Sequence, residues 1–77
     1  MKYIVIELQT TGNTVAHIVT DHNDQQTAEQ KFHNVLAAAA VSNVQLHGAI
    51  IMPADMRDFR RELYDRTDPE HVQHIYD

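Results

Sequence analysis

Val35-Leu36-Ala37-Ala38-Ala39-Ala40-Val41 decides how this chain is read, because it lies in the one long helical stretch and is apolar on every side. A helix laid on a single sheet needs one apolar stripe, with polar residues turned to water. Ala28, Phe32, Val35, Leu36 and Ala39 recur at helical spacing and make that stripe, which is expected to pack on the chain's own sheet. Ala37, Ala38 and Val41 carry apolar surface onto the flank and back. That second surface is expected to meet another copy of the chain, the small alanines letting backbones approach closely. The result would be an obligate homo-oligomer with Ala37, Ala38 and Val41 at its interface, a dimer before a tetramer. Because burying an unpaired carboxylate is costly, Val41→Glu is expected to weaken assembly and stability together.

Outward from the helix, Asp21-His22-Asn23-Asp24 is a polar break, and Asp24 and Thr27 are alternative N-caps for a helix from about residue 26 to 42. Upstream, residues 2–9 alternate as a strand. Ile4, Ile6 and Leu8 are assigned to the core face, against Tyr3, Val5 and Glu7. Thr11-Gly12-Asn13 is a turn signal, and residues 14–20 return as the second strand of a hairpin. Downstream, Asn43 suits a left-handed helix end, and residues 46–52 make a third strand in which Gly48 marks a close backbone approach or a bulge. Met56, Phe59 and Leu63 fit helical spacing, yet Phe59, Arg61 and Leu63 against Arg60, Glu62 and Tyr64 fit a strand; periodicity alone leaves both open. Asp68-Pro69-Glu70 opens an expected short helix over residues 69–76 that presents Val72, Ile75 and Tyr76.

Seventy-seven residues make one domain close to the size at which a lone core stops being sufficient. There is no cysteine, which excludes disulfides, thiolate metal sites and a cysteine nucleophile, and leaves oligomerisation as the common remaining staple. The net charge of −5 disfavours binding to a nucleic-acid backbone. No segment has the run of apolar residues a bilayer span requires, and the N-terminus lacks a signal-peptide layout. Neither nucleic acid nor membrane is therefore an expected partner, and the expected location is the cytoplasm.

Ala28-Glu29-Gln30-Lys31-Phe32-His33-Asn34-Val35-Leu36-Ala37-Ala38-Ala39-Ala40-Val41-Ser42 resembles the signature helix of a family of very short proteins encoded by phages and prophages of Firmicutes. The likeness extends over Tyr3-Ile4-Val5-Ile6-Glu7-Leu8-Gln9 and the strand beginning at His47. It implies a closing strand over residues 59–65 with Tyr64 in the family's tyrosine position, and the cytoplasm of a host bacterium as the location. Pro53-Ala54-Asp55-Met56 departs from the family's glycine-containing turn, and so does the tail after Arg66. The expected fold is α+β, a two-layer ββαββ arrangement with an antiparallel sheet and one Ala-rich helix. Residues 1–66 form the domain, and residues 67–77 a C-terminal appendage placed to dock on a neighbouring subunit.

Arg57, Arg60, Arg61 and Arg66 crowd ten positions, balanced by Asp55, Asp58, Glu62 and Asp65. Solvated ion pairs account for Arg57, Arg60 and Arg66. On the strand assignment Arg61 shares the core face with Phe59 and Leu63, where a guanidinium needs a carboxylate, an edge exit or an anionic ligand. Arg61 with Arg60, His33 and Tyr64 is the candidate ligand set, gathered between subunits by symmetry. Of the other histidines, His71 and His74 would share a helical face but supply half of a zinc site, so a pH-sensitive surface patch is the preferred reading. His17 and His47 read as half-buried packing residues and His22 as a turn residue. Ser42 has no glycine elbow, Gly12 and Gly48 make no phosphate loop, and neither catalysis nor a cofactor is expected. The leading expectation is a non-enzymatic phage accessory protein that sequesters a nucleotide-like anion in counter-defence. The alternatives are an acidic protein that binds and inhibits a host or phage protein through Asp68, Glu70 and Asp77, and metal binding through His71 and His74.

Overall fold

The computed structural model describes residues 1–66 and 74–76. It shows a small α+β fold in which an antiparallel sheet carries one helix on one face. Strands β1 (Tyr3–Thr11) and β2 (Thr14–His22) form the hairpin, helix α1 (Gln25–Ala40) follows, and β3 (Leu46–Pro53), β4 (Arg60–Asp65) and the short β5 (His74–Tyr76) complete the chain. Their order across the sheet is β2-β1-β3-β4-β5, with every neighbouring pair antiparallel. Among the described residues no helix is long and apolar enough to cross a membrane.

The hairpin closes through Gly12 and Asn13 between paired Thr11 and Thr14. Gly12 takes a φ of +59°, the positive value that a tight hairpin turn requires at its first central residue, and its N–H donates to Gln45 Oε1 at 2.8 Å. At the head of α1, Asp24 is the N-cap: its Oδ1 accepts from the Thr27 N–H at 2.9 Å and from the Thr27 hydroxyl at 3.0 Å. Those bonds hold the Asp24 carboxyl below its usual range.

The far end of α1 differs from expectation. The helix stops at Ala40 with Val41 as C-cap, and Asn43 does not take positive φ. A left-handed residue is unnecessary because Arg66, just beyond β4, donates from Nη2 to the Ala39 and Ala40 carbonyls at 2.8 Å each. A guanidinium at a helix C-terminus satisfies orphan carbonyls and opposes the negative end of the helix dipole. Arg66 is thus a half-buried structural cap rather than a solvated ion-pair residue. Removing its side chain in Arg66→Ala should lower stability by about 1–2 kcal/mol and fray the last turn. Hydrogen exchange at the amides of residues 38–41 should report this; unchanged protection there would show that the cap contributes nothing.

Ile4, Ile6 and Leu8 do not form the face under the helix. Val5, Ala49 and Ile51 do, packed against Ala28, Phe32, Val35 and Leu36, with Tyr3 at the margin. Alternation correctly groups the residues, but the helix covers the other group. Small Ala49 lets α1 approach β3, and Glu7, the polar member of this face, is accommodated because His47 lies beside it on β3. The more apolar face of β1 is left open.

Two further segments resolve the remaining ambiguities. Residues 60–65 are a strand, paired with β3 from Leu46↔Asp65 to Ile51↔Arg60. His74–Tyr76 is also a strand, not the end of a helix, and it docks on the chain's own β4. A helix of about eight residues is marginal by itself, whereas the open edge of β4 offers a row of backbone partners. Residues 69–73 of the expected helix lie outside the described residues. The turn over residues 53–56 closes by a Met56 N–H donating to the Pro53 carbonyl at 3.0 Å. Met56 has a φ of +59°, the left-handed region that glycine occupies without cost.

Candidate functional site on the open sheet face

Chain alternation and the strand register divide the sheet's side chains into two populations with different surroundings. Tyr3, Val5 and Glu7 of β1, His47, Ala49 and Ile51 of β3, and Arg60, Glu62 and Tyr64 of β4 share the face turned to α1. Ile4, Ile6 and Leu8, then Leu46, Gly48, Ile50 and Met52, then Arg61 and Leu63 share the opposite face. On β2 the same side carries Val15 and Val19, 59% and 56% exposed. No described element packs over this surface.

At its centre Gly48 leaves no room for a side chain. A Cβ built there would lie 2.5 Å from Leu63 Cβ and 2.7 Å from Leu63 Cα, and would also meet the Glu62 carbonyl. The residue therefore marks a close approach of β3 to β4, one of the two roles its position predicted. Beside it is a hollow of about 160 Å³ bordered by Leu8, Leu46, Ile50, Leu63 and Arg61. Arg61 is exposed, so its presumed place in a helix-covered core is corrected: it shares a face with Leu63, but that face is the open one.

The four residues of the candidate ligand set are not brought together within one chain. Arg60 lies on the helix side, ion-paired with Glu29, with its guanidinium 5.3 Å from the Phe32 ring centroid. His33 reaches the same Glu29, Nε2 to Oε1 3.5 Å, with its ring edge-on to Phe32. Tyr64 is half-buried on the helix side, where Arg66 lies 5.3 Å from its ring centroid. Arg61 alone points to the opposite side. A second hollow, about 190 Å³, opens near the start of α1 between Tyr3, Glu29, Asp58, Phe59 and Arg60. Two carboxylates against one guanidinium already engaged by Glu29 make it a poor place for an anion.

Glu7 and His47 are the polar feature that sequence reading did not pair. His47 Nε2 lies 2.7 Å from Glu7 Oε2, with side chains 5% and 15% exposed, and the Gln9 amide donates to the same oxygen at 3.0 Å. Burial pushes the Glu7 carboxyl up, but the hydrogen bonds from His47 and Gln9, with the charges of His47 and Lys31, outweigh it and leave the group below its ordinary value. His47 Nδ1 is buried without a hydrogen-bond partner. The pair lies beneath the helix, closed to substrate, and its role is to hold β1 to β3. The available signal was a carboxylate in an otherwise apolar strand, which requires a buried donor somewhere in the fold.

Among the described residues no group of three or more histidine, cysteine or carboxylate side chains is placed to hold a metal ion. His71 and the side chain of His74 lie outside the described residues. Ala37, Ala38 and Val41, the residues assigned to an interface, are exposed on the back of α1, Val41 to 83%. No protein-family model, curated protein or solved structure matches this chain.

Proposed function

We propose that this chain is a non-enzymatic binding protein that acts as a homo-oligomer and holds a small anionic, nucleotide-like ligand between its subunits. The observation that supports this reading is the position of Arg61 at the rim of the hollow beside Gly48, where Leu8, Leu46, Ile50 and Leu63 supply apolar walls. A guanidinium bordering an apolar depression offers a planar fork of donors for a phosphate or carboxylate, with greasy walls for a ring or ribose. One such hollow is smaller than the roughly 300 Å³ at which small-molecule pockets begin, so a second subunit is needed to complete an enclosure. With its likeness to short phage-encoded proteins, the chain suits a sequestering role in counter-defence, where binding alone removes a signal. Nothing in that role calls for a nucleophile or a cofactor.

Native mass spectrometry of the protein, purified gently from its producing cells, tests the reading. The expected result is an oligomer carrying a stoichiometric added mass of nucleotide size. Arg61→Ala should reduce retention at least about tenfold, the effect of losing a charge-assisted hydrogen bond. Arg57→Ala, which removes an exposed ion pair with Asp55 at 3.6 Å, should leave retention unchanged. Protein that carries no added mass, but captures a host protein, would favour the acidic-surface alternative instead.

A further inference from the structure

We infer that the open face of the sheet is the contact surface of a symmetric dimer, two copies packing sheet against sheet to give four layers, helix-sheet-sheet-helix. This names the interface of the homo-oligomer proposed above and rests on that reading, though not on the ligand.

The composition of the face supports a second copy as the occupant. Ile6 and Ile50 pair at its middle, with Ile4, Leu8, Met52 and Leu63 around them. Charge is confined to the margins, the Lys2–Asp21 ion pair at one edge and Arg61 and Asp65 on β4 towards the other. An apolar centre with a polar rim is the anatomy of a protein interface. A two-fold axis running along the strands would lay the β2 margin of one copy over the β4 margin of the other, so that the polar rims meet and the apolar centres stack.

The area is sufficient. Four strands about 4.8 Å apart and eight residues long make a face of about 500 Å², so two copies bury about 1,000 Å² before side-chain relief is counted. That reaches the roughly 1,000 Å² that separates a biological interface from a chance contact, and the side chains standing above the sheet add to it. The apolar groups on the exposed back of α1 are only alanine methyls and Val41. A lipid surface is a poor competitor, since a net charge of −5 is repelled by anionic headgroups. Within one copy the core is thin: Val5 and Phe32 are the largest fully buried side chains. Pairing the sheets about 10 Å apart would place Ile4, Ile6, Leu8 and Ile50 in a second core.

Sedimentation velocity of the full chain at micromolar concentration, with two variants, provides the test. Wild type should sediment as a dimer. Ile6→Arg should sediment as a monomer that keeps its helical circular dichroism, and Val41→Glu, at a side chain 83% exposed, should stay dimeric in place of the lost assembly expected from the helix pattern. A monomeric wild type, or a dimer abolished by Val41→Glu and not by Ile6→Arg, would overturn the assignment. Should Ile6→Arg fail to fold, thiol cross-linking decides, because the chain has no cysteine of its own. A short bismaleimide should link Ile6→Cys into dimers and leave Val41→Cys unlinked; the reverse pattern would place the interface on the helix. Arg61→Ala should lose any bound anion and remain dimeric. A monomer that still retains the anion would overturn the interface but not anion binding, whereas a ligand-free dimer would overturn only the ligand.

Discussion

Glu7→Ala should lower the unfolding free energy by about 2–3 kcal/mol, the cost of losing a hydrogen bond to a buried carboxylate and leaving its partner unsatisfied, and a large share of what so small a domain can hold. The substitution removes the acceptor 2.7 Å from His47 Nε2, and His47 is only 4% exposed. Its other ring nitrogen already lacks a partner, so the imidazole would be buried with neither nitrogen satisfied. Urea unfolding at pH 7 should show the loss as a lower midpoint with little change in slope.

The same pair sets a pH dependence with a defined sign. Folding lowers the Glu7 pKa from its ordinary 4.5, so the folded state favours the ionised carboxylate. The resulting stabilisation is fully present above pH 4.5 and is lost as pH falls through the lower folded value. Asp24 at the head of α1 is shifted in the same direction by its bonds from Thr27 and adds to the acid sensitivity. Glu7→Gln cannot titrate at this position, so the stability gap between wild type and Glu7→Gln should hold constant down to pH 4.5 and narrow as the pH falls below it. A gap that stays constant below pH 4.5 would show that the ionised Glu7 carboxylate does not contribute.

Gly48→Ala should destabilise the protein by about 2–3 kcal/mol, although it adds a single methyl group. That methyl would lie 2.5 Å from Leu63 Cβ and against the backbone of Glu62, well inside van der Waals contact. Flexible side-chain ends can move aside, but here the obstacle is β4 itself, held on its other edge by β5. Relief requires β4 to move off β3 or twist, loosening the pairs from Leu46↔Asp65 to Ile51↔Arg60. Arg66, which follows β4 and caps the helix, would be displaced with it. Thermal unfolding should therefore show a clear drop in midpoint, and amide exchange should quicken along β4 and at the end of α1. A variant as stable as the wild type would mean that the strands separate there without cost.

Much of the architecture is legible in local sequence. The alternation of residues 3–8, the turn residues Gly12 and Asn13, the Asp24 cap and the stripe through Phe32, Val35 and Leu36 each specify an element by short-range physics. The strand over residues 60–65 was not decided by its pattern, since Phe59 and Leu63 satisfy both periods; the resemblance pointed to a strand, and pairing with β3 is what the structure shows. The end of the chain misled because Asp68-Pro69-Glu70 is a good local helix start. Residues 74–76 nevertheless pair with β4, and no local signal reports an available sheet edge.

The candidate site was less legible than the fold. Arg61 and Leu63 were correctly placed on one face, but sequence cannot say that this is the face without a helix. Arg60, His33, Tyr64 and Arg61 are close along the chain or in chemistry, yet a sheet separates the first three from the fourth. By itself the sequence determined the hairpin, the helix, the absence of any thiol chemistry and the surplus of apolar surface, because composition and short-range spacing settle those. Tertiary structure decided which side of the sheet α1 covers, through the fit of Ala49 and Ile51 beneath it and the burial of Glu7 against His47. It therefore also decided where the surplus lies. Alternation assigns residues to two faces with equal validity, and only packing against a third element makes one of them the core.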